Sequence, residues 1–168
     1  AGSGLSEKAQ LSNGAGWADI DHDGDLDLYV TGLWDERFFL YINDGTGHFT
    51  EEALQRGAAI ESEDAHFGYS PTFGDFDRDG FIDIHTTEWR HDQVNPYGAL
   101  SNARLLHNRG AEGPGLAGFF EDVTDSAGVA LNDITGNTTQ PQPGNFSFAS
   151  HFSDLDGDGW LDLAVAGD

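Results

Sequence analysis

Asp19, Asp21, Asp23 and Asp27 stand at positions 1, 3, 5 and 9 of the segment Asp-Ile-Asp-His-Asp-Gly-Asp-Leu-Asp-Leu, and the spacing returns twice. Asp75, Asp77, Asp79 and Asp83 occupy the second copy and Asp154, Asp156, Asp158 and Asp162 the third. Carboxylates so spaced can wrap one hard cation in oxygen, which is what calcium coordination demands. Position 7 adds a backbone carbonyl, from Asp25, Phe81 and Trp160, because only main-chain oxygen serves where the side chain varies this freely. Gly24, Gly80 and Gly159 at position 6 permit the sharp turn. Three Ca2+ sites are therefore expected. An EF-hand would need a bidentate Glu at position 12, where this chain has Val30, Thr86 and Val165. The competing reading is a plain Asp-Gly turn without metal, which requires two residues rather than four spaced carboxylates.

The elements that must hold these carboxylates follow directly. Leu26-Asp-Leu28-Tyr-Val30, Ile82-Asp-Ile84-His-Thr86 and Leu161-Asp-Leu163-Ala-Val165 alternate with a period of two, so each loop opens into a β-strand. The motif starts lie 56 and then 79 residues apart, the mark of a repeat. A second shared segment supports it: Phe39-Leu-Tyr-Ile-Asn43-Asp-Gly45-Thr-Gly47-His-Phe49-Thr-Glu51 parallels Arg104-Leu-Leu-His-Asn108-Arg-Gly110, followed after an insertion by Phe119-Phe120-Glu-Asp-Val123. Both read as hairpins, the second lengthened between Gly110 and Gly118.

Each unit thus comprises four antiparallel strands: one into the acidic loop, one out, and a hairpin. Four-stranded units in series are propeller blades, packed face to face around an axis. Apolar residues on both strand faces, Tyr29, Ala164 and Ala166 opposite Leu28 and Val165, fit sheets covered on both sides. The expected fold is all-β with little helix. One partial propeller region over residues 1–168 divides into units at about 6–57, 58–129 and 130–168, the last incomplete. Two and a half blades do not close a ring, so the chain is expected to be either part of a larger protein or a subunit completed by other copies. In the second case strand pairing would run through the open edge at 161–166.

Phe73-Gly74-Asp75-Phe-Asp77-Arg-Asp79-Gly80-Phe-Ile-Asp83-Ile84, Asn43-Asp-Gly-Thr-Gly47-His-Phe49 and Phe120-Glu-Asp-Val123-Thr-Asp-Ser-Ala127-Gly128-Val129 resemble FG-GAP or VCBS-type repeats. Such repeats build integrin α-subunit propellers, cartilage acidic protein-like proteins and bacterial secreted proteins. The resemblance covers nearly the whole chain and implies that each acidic loop holds calcium between two strands of a blade. Trp17-Ala18 and Phe152-Ser153 depart from it, standing where the name-giving Phe-Gly would be.

The chain of 168 residues has one ordinary domain's length, and 38% hydrophobic residues with 20 aromatics keep it out of the disordered class. Its net charge of −23 reflects 30 acidic against 7 basic residues, and three bound Ca2+ would bring it only to −17. That field repels nucleic-acid phosphates and anionic membranes, so neither is an expected partner. Without cysteine there are no disulfides or thiolate sites. No stretch approaches the roughly 20 apolar residues of a membrane span. The absence of an initiator Met or signal peptide reads as a mature or trimmed product. Loops of three or four aspartates fill at extracellular calcium levels, so a secreted or cell-surface location is expected.

His85, Glu88, His91 and Asp92 offer imidazole and carboxylate for metal or acid–base chemistry, but their spacing fits no zinc motif and reads more simply as a strand end with its connecting loop. Asn137-Thr-Thr139 and Asn145-Phe-Ser147 are glycosylation acceptor patterns in a Pro-, Gln- and Gly-rich loop. Trp34, Trp89, Tyr97 and Trp160 are candidates for stacking on a protein or glycan ligand, with inter-blade packing the alternative, favoured for Trp160. The expected function is non-catalytic binding or adhesion by a calcium-binding extracellular repeat. A self-assembling oligomer or fibre is the second reading, and the propeller part of a polysaccharide-active lyase or hydrolase the third.

Overall fold

The computed structural model describes residues 2–6, 11–35, 37–61, 66–89, 103–131 and 147–167. Four strands, β1 (Ser12–Ala18), β2 (Asp27–Asp35), β3 (Phe39–Asn43) and β4 (Phe49–Glu51), form an antiparallel meander. A second meander repeats it with β5 (His66–Gly74), β6 (Asp83–Glu88), β7 (Arg104–Asn108) and β8 (Phe120–Asp122). Strands β9 (Ser147–Ser153) and β10 (Asp162–Gly167) make the first hairpin of a third. The protein is a β-propeller repeat protein, with two four-stranded blades and the start of another among the described residues. Leu33 pairs with Phe67 and Asp35 with His66, joining the two blades at one end into a single curled sheet.

Alternation along β2 explains the packing. Leu28 and Val30 point to one face with Phe39 and Tyr41, where Leu5 and Phe49 cover them. Tyr29 points to the other, joining Phe38 and Leu40 against Ile84, Leu106 and Phe120 of the second blade. Both faces of β2 are therefore buried, as its sequence implies, whereas Ala164 and Ala166 of β10, expected to be covered in the same way, are exposed. Each fully buried Leu or Ile in this inter-blade core contributes about 1.5–3 kcal/mol relative to exposure. Tyr29 satisfies its hydroxyl by donating to the Ala58 carbonyl, 2.7 Å away.

Close backbone approach sets how blades stack. Phe73 lies over Gly16 and Phe152 over Gly74, where an added Cβ would come within 2.4 and 2.9 Å of the respective ring. Among the described residues, short helical turns are α1 (Ala53–Arg56), one turn after β4, and a 3-10 turn at Arg109–Glu112 inside the lengthened β7–β8 connection.

Candidate metal centres

Each acidic motif forms the loop between the first two strands of its blade: β1–β2, β5–β6 and β9–β10. The loop folds on its own carboxylates. At position 1, Asp19 accepts from the N–H of Asp23 (3.0 Å) and Gly24 (3.1 Å), and Asp75 from Asp79 and Gly80 (both 3.0 Å). Asp154 accepts from Gly157 (2.7 Å) and Gly159 (3.0 Å). Position 5 carboxylates accept from the position 7 amide: Asp23 from Asp25, Asp79 from Phe81 and Asp158 from Trp160, at 2.8–2.9 Å. Position 9 reaches back to the position 2 amide: Asp27 to Ile20, Asp83 to Phe76 and Asp162 to Leu155, at 2.9–3.0 Å.

The turn demands left-handed backbone twice. Gly24, Gly80 and Gly159 have φ of 97°, 94° and 90°, a region that side chains other than glycine's rarely enter. Position 4 is left-handed too, with His22 at 61°, Arg78 at 64° and Gly157 at 80°.

This scaffold brings together positions 1, 3 and 9 in every copy. One ligand oxygen each from Asp19, Asp21 and Asp27 lie within 4.8 Å of one another, and so do those of Asp75, Asp77 and Asp83, and of Asp154, Asp156 and Asp162. Position 5 stands apart from these triplets among the described residues. Asp79 groups instead with Asp77 and His107, and Asp23 and Asp158 turn toward the amides of Asp25 and Trp160.

The donor set suits a cation. Asp27 and Asp83 are wholly buried, and burial pushes their carboxyls up to about 6 and about 7, partly offset by amides of Asn43 and Ile20 in one case and Asn108 and Phe76 in the other. Asp21 is also raised, first by burial and then by the Asp23 carboxylate, with Arg56 acting the other way. Its Oδ1 is buried without a hydrogen-bond partner, while Oδ2 lies 3.5 Å from Arg56. Buried carboxylates that resist ionising alone, with an orphaned oxygen among them, are groups that a divalent ion would satisfy.

The first two loops are braced by the third strand of their blade. The Asn43 amide donates to Asp27 Oδ1 (2.9 Å) and the Asn108 amide to Asp83 Oδ1 (2.8 Å). Asn108 is fully buried and donates its side-chain NH2 to the Ile82 carbonyl (3.0 Å) and to Ile20 of the neighbouring blade (2.9 Å). Its Oδ1 accepts from Gly110 (3.2 Å) and Gly118 (3.0 Å), closing the long hairpin. Sequence reasoning matched Asn43 with Asn108 but assigned neither a role. The recurrence of one Asn at the same hairpin position was the signal.

Position 4 was also missed. The His22 ring lies 5.4 Å from Phe81 at position 7 of the next loop, and the Arg78 guanidinium 5.1 Å from Trp160 at position 7 of the third. These contacts link successive loops, and Trp160 remains half exposed.

The other candidate groups lie elsewhere. His85 is buried, its Nδ1 2.9 Å from Ser150 Oγ of β9, and burial pushes the imidazole down to about 4. Glu88 is buried 2.8 Å from His66 Nδ1 and accepts from the Phe67 amide. Trp89 packs on Phe148 (4.7 Å between centroids), so its ring serves inter-blade contact. His85 lies two residues past Asp83 within β6, while Glu88 ends that strand and Trp89 follows it, at the end away from the carboxylates. His91, Asp92, Tyr97, Asn137 and Asn145 lie outside the described residues, as does the side chain of Trp34.

Residues 19–86 match the FG-GAP-like repeat family, a span running from the first carboxylate of the first loop into β6 of the second blade. No curated protein matches the chain.

Proposed function

For a chain whose residues 19–86 are an FG-GAP-like repeat, we propose calcium-stabilised propeller blades that act outside the cell as a non-catalytic binding or adhesion module. The observation that carries this reading is the convergence of carboxylates 1, 3 and 9 in all three loops. Asp19, Asp21 and Asp27 would hold one Ca2+, Asp75, Asp77 and Asp83 a second, and Asp154, Asp156 and Asp162 a third. Positions 5 and 7 of each loop, Asp23 and Asp25, Asp79 and Phe81, Asp158 and Trp160, would supply the remaining oxygens. When bound, the ion supplies charge neutralisation and folding free energy, because only the folded loop collects the ligands.

The chain's own residues do the rest. Ile20, Phe76 and Leu155 orient the position 9 carboxylates through their amides, and the His22–Phe81 and Arg78–Trp160 contacts tie neighbouring loops into one surface. That surface is where a protein or glycan partner would dock. Millimolar extracellular calcium suits loops of this kind, and no helix among the described residues is long and apolar enough to cross a membrane. Burial of His85 and Glu88 favours a non-catalytic role over the polysaccharide-active alternative. Self-association remains the second reading, because β10 pairs only with β9 among the described residues.

Calorimetric titration of metal-depleted protein with Ca2+ tests the core of the proposal. Three equivalents are expected, with Asp21→Asn, Asp77→Asn and Asp156→Asn each removing one. No binding at several millimolar Ca2+ would overturn it. Light scattering in calcium separates the two readings of the assembly, an 18.1 kDa mass favouring the binding module and discrete multiples favouring self-association.

A further inference from the structure

The second loop differs from the first in one donor. At the hairpin position just before the bracing Asn, the first blade carries Ile42, packed against the core, while the second carries His107. The His107 ring meets Phe76 edge-on at 5.9 Å and points Nε2 at the acidic loop, 2.9 Å from Asp77 Oδ2 and 3.5 Å from Asp79 Oδ2. One ligand atom from each of Asp77, Asp79 and His107 lies within 4.8 Å of the other two.

Two features distinguish this from an ordinary ion pair. His107 Nε2 and Asp79 Oδ2 are buried yet make no hydrogen bond, so the near oxygen of Asp77 sits off the line an imidazole N–H would use. Buried polar atoms left in this way call for an unseen partner. The loop also holds the two carboxylates in place by their other oxygens. Asp77 Oδ1 accepts from the Asp79 amide (3.2 Å) and Asp79 Oδ1 from the Phe81 amide (2.9 Å). What remains free is one oxygen of each and the ring nitrogen, all converging.

We propose that Asp77 Oδ2, Asp79 Oδ2 and His107 Nε2 form a binding site for a borderline divalent transition metal of the Zn2+ or Co2+ type. Two donors about 2.1 Å from one ion stand about 3.0–3.4 Å apart, which matches the spacing of His107 from both carboxylates. The nitrogen decides the class of ion: imidazole favours zinc, cobalt and nickel, whereas calcium selects oxygen. The site goes beyond the calcium reading, rests on the same loop, and shares Asp77 with the Asp75–Asp77–Asp83 triplet and Asp79 with the position 5 oxygen assigned to that calcium. The second loop thereby becomes the one where a transition metal competes with calcium.

Co2+ is the probe, titrated into metal-depleted protein without a tag and followed by visible absorption and calorimetry. The wild type is expected to take up one tight equivalent with a ligand-field band, and His107→Ile, which installs the first blade's residue, to weaken it at least about tenfold. His107→Gln, polar and without an imidazole, gives the same reading if the isoleucine variant folds poorly. Paramagnetic displacement of the His107 ring signals in the wild type would report ligation directly. Identical Co2+ isotherms for wild type and both variants, or undisplaced His107 signals at saturation, would overturn the proposal. Parallel Ca2+ titrations keep the two readings apart, since loss of His107 should leave three calcium equivalents.

Discussion

Removing one carboxylate that serves as a structural clamp should cost more in the metal-free protein than removing another from the same loop. Asp27 is wholly buried and accepts from two backbone amides, Ile20 and Asn43, each at 2.9 Å. Asp27→Ala leaves both without a partner, at about 1–3 kcal/mol each, while relieving a buried charge returns on the order of 1 kcal/mol. The net loss is about 3 kcal/mol, or about 6–12 °C in melting temperature for a chain of this size. Asp23 is exposed and, among the described residues, accepts from the Asp25 amide alone, so Asp23→Ala should stay within about 0.5 kcal/mol of wild type. Calcium at about a hundredfold over Kd adds about 2.7 kcal/mol per site, and both variants should lose one such increment. Thermal unfolding followed by circular dichroism, in millimolar Ca2+ and in chelator, separates the two effects. Equal melting of Asp23→Ala and Asp27→Ala in chelator would refute the clamp argument. Equal melting of wild type in both buffers would refute the calcium argument.

Asn108→Ala removes four hydrogen bonds at a buried junction and should destabilise by about 2–4 kcal/mol; a cost below 1 kcal/mol in denaturant titration would show that the blades do not depend on it. Gly74→Ala places a Cβ 2.9 Å from the Phe152 side chain, so it should cost about 1–3 kcal/mol by overpacking; a cost below about 0.5 kcal/mol in the same titration would show that the contact does not set the blade spacing. Asp27 and Asp83, at about 6 and about 7 when folded against about 3.9 when unfolded, hold extra protons in the folded state. Their contribution is fully present below about pH 4 and is lost as pH rises through about 6–7, on the order of 1 kcal/mol each after allowing for water near the loops. His85, at about 4, works the other way, its share disappearing as pH falls from 6.5. Melting metal-depleted protein at pH 5 and pH 8 beside an Asp27→Asn/Asp83→Asn variant isolates the carboxylates. An undiminished pH difference in the variant would show that other groups carry it.

What the sequence determined by itself was local. Within ten residues, Asp at 1, 3, 5 and 9 and Gly at 6 dictate a loop that folds on its own carboxylates, because the amides that satisfy them are two to seven positions away. The period-two strands beyond each loop were legible for the same reason, and their apolar residues on both faces pointed to stacked blades. Tertiary structure alone decided which carboxylates converge and what faces them. The position 5 side chains, equivalent in the motif, turn toward neighbouring amides, and among the described residues the one in the second loop meets a histidine. That meeting depends on His107 arriving from β7, just as Asn108 reaches Ile20 from 88 residues away. Arg78 over Trp160 and Phe152 over Gly74 likewise depend on how one blade stacks on the next. Such contacts leave no periodic trace in the chain, because side-chain packing between blades sets them rather than backbone geometry within one.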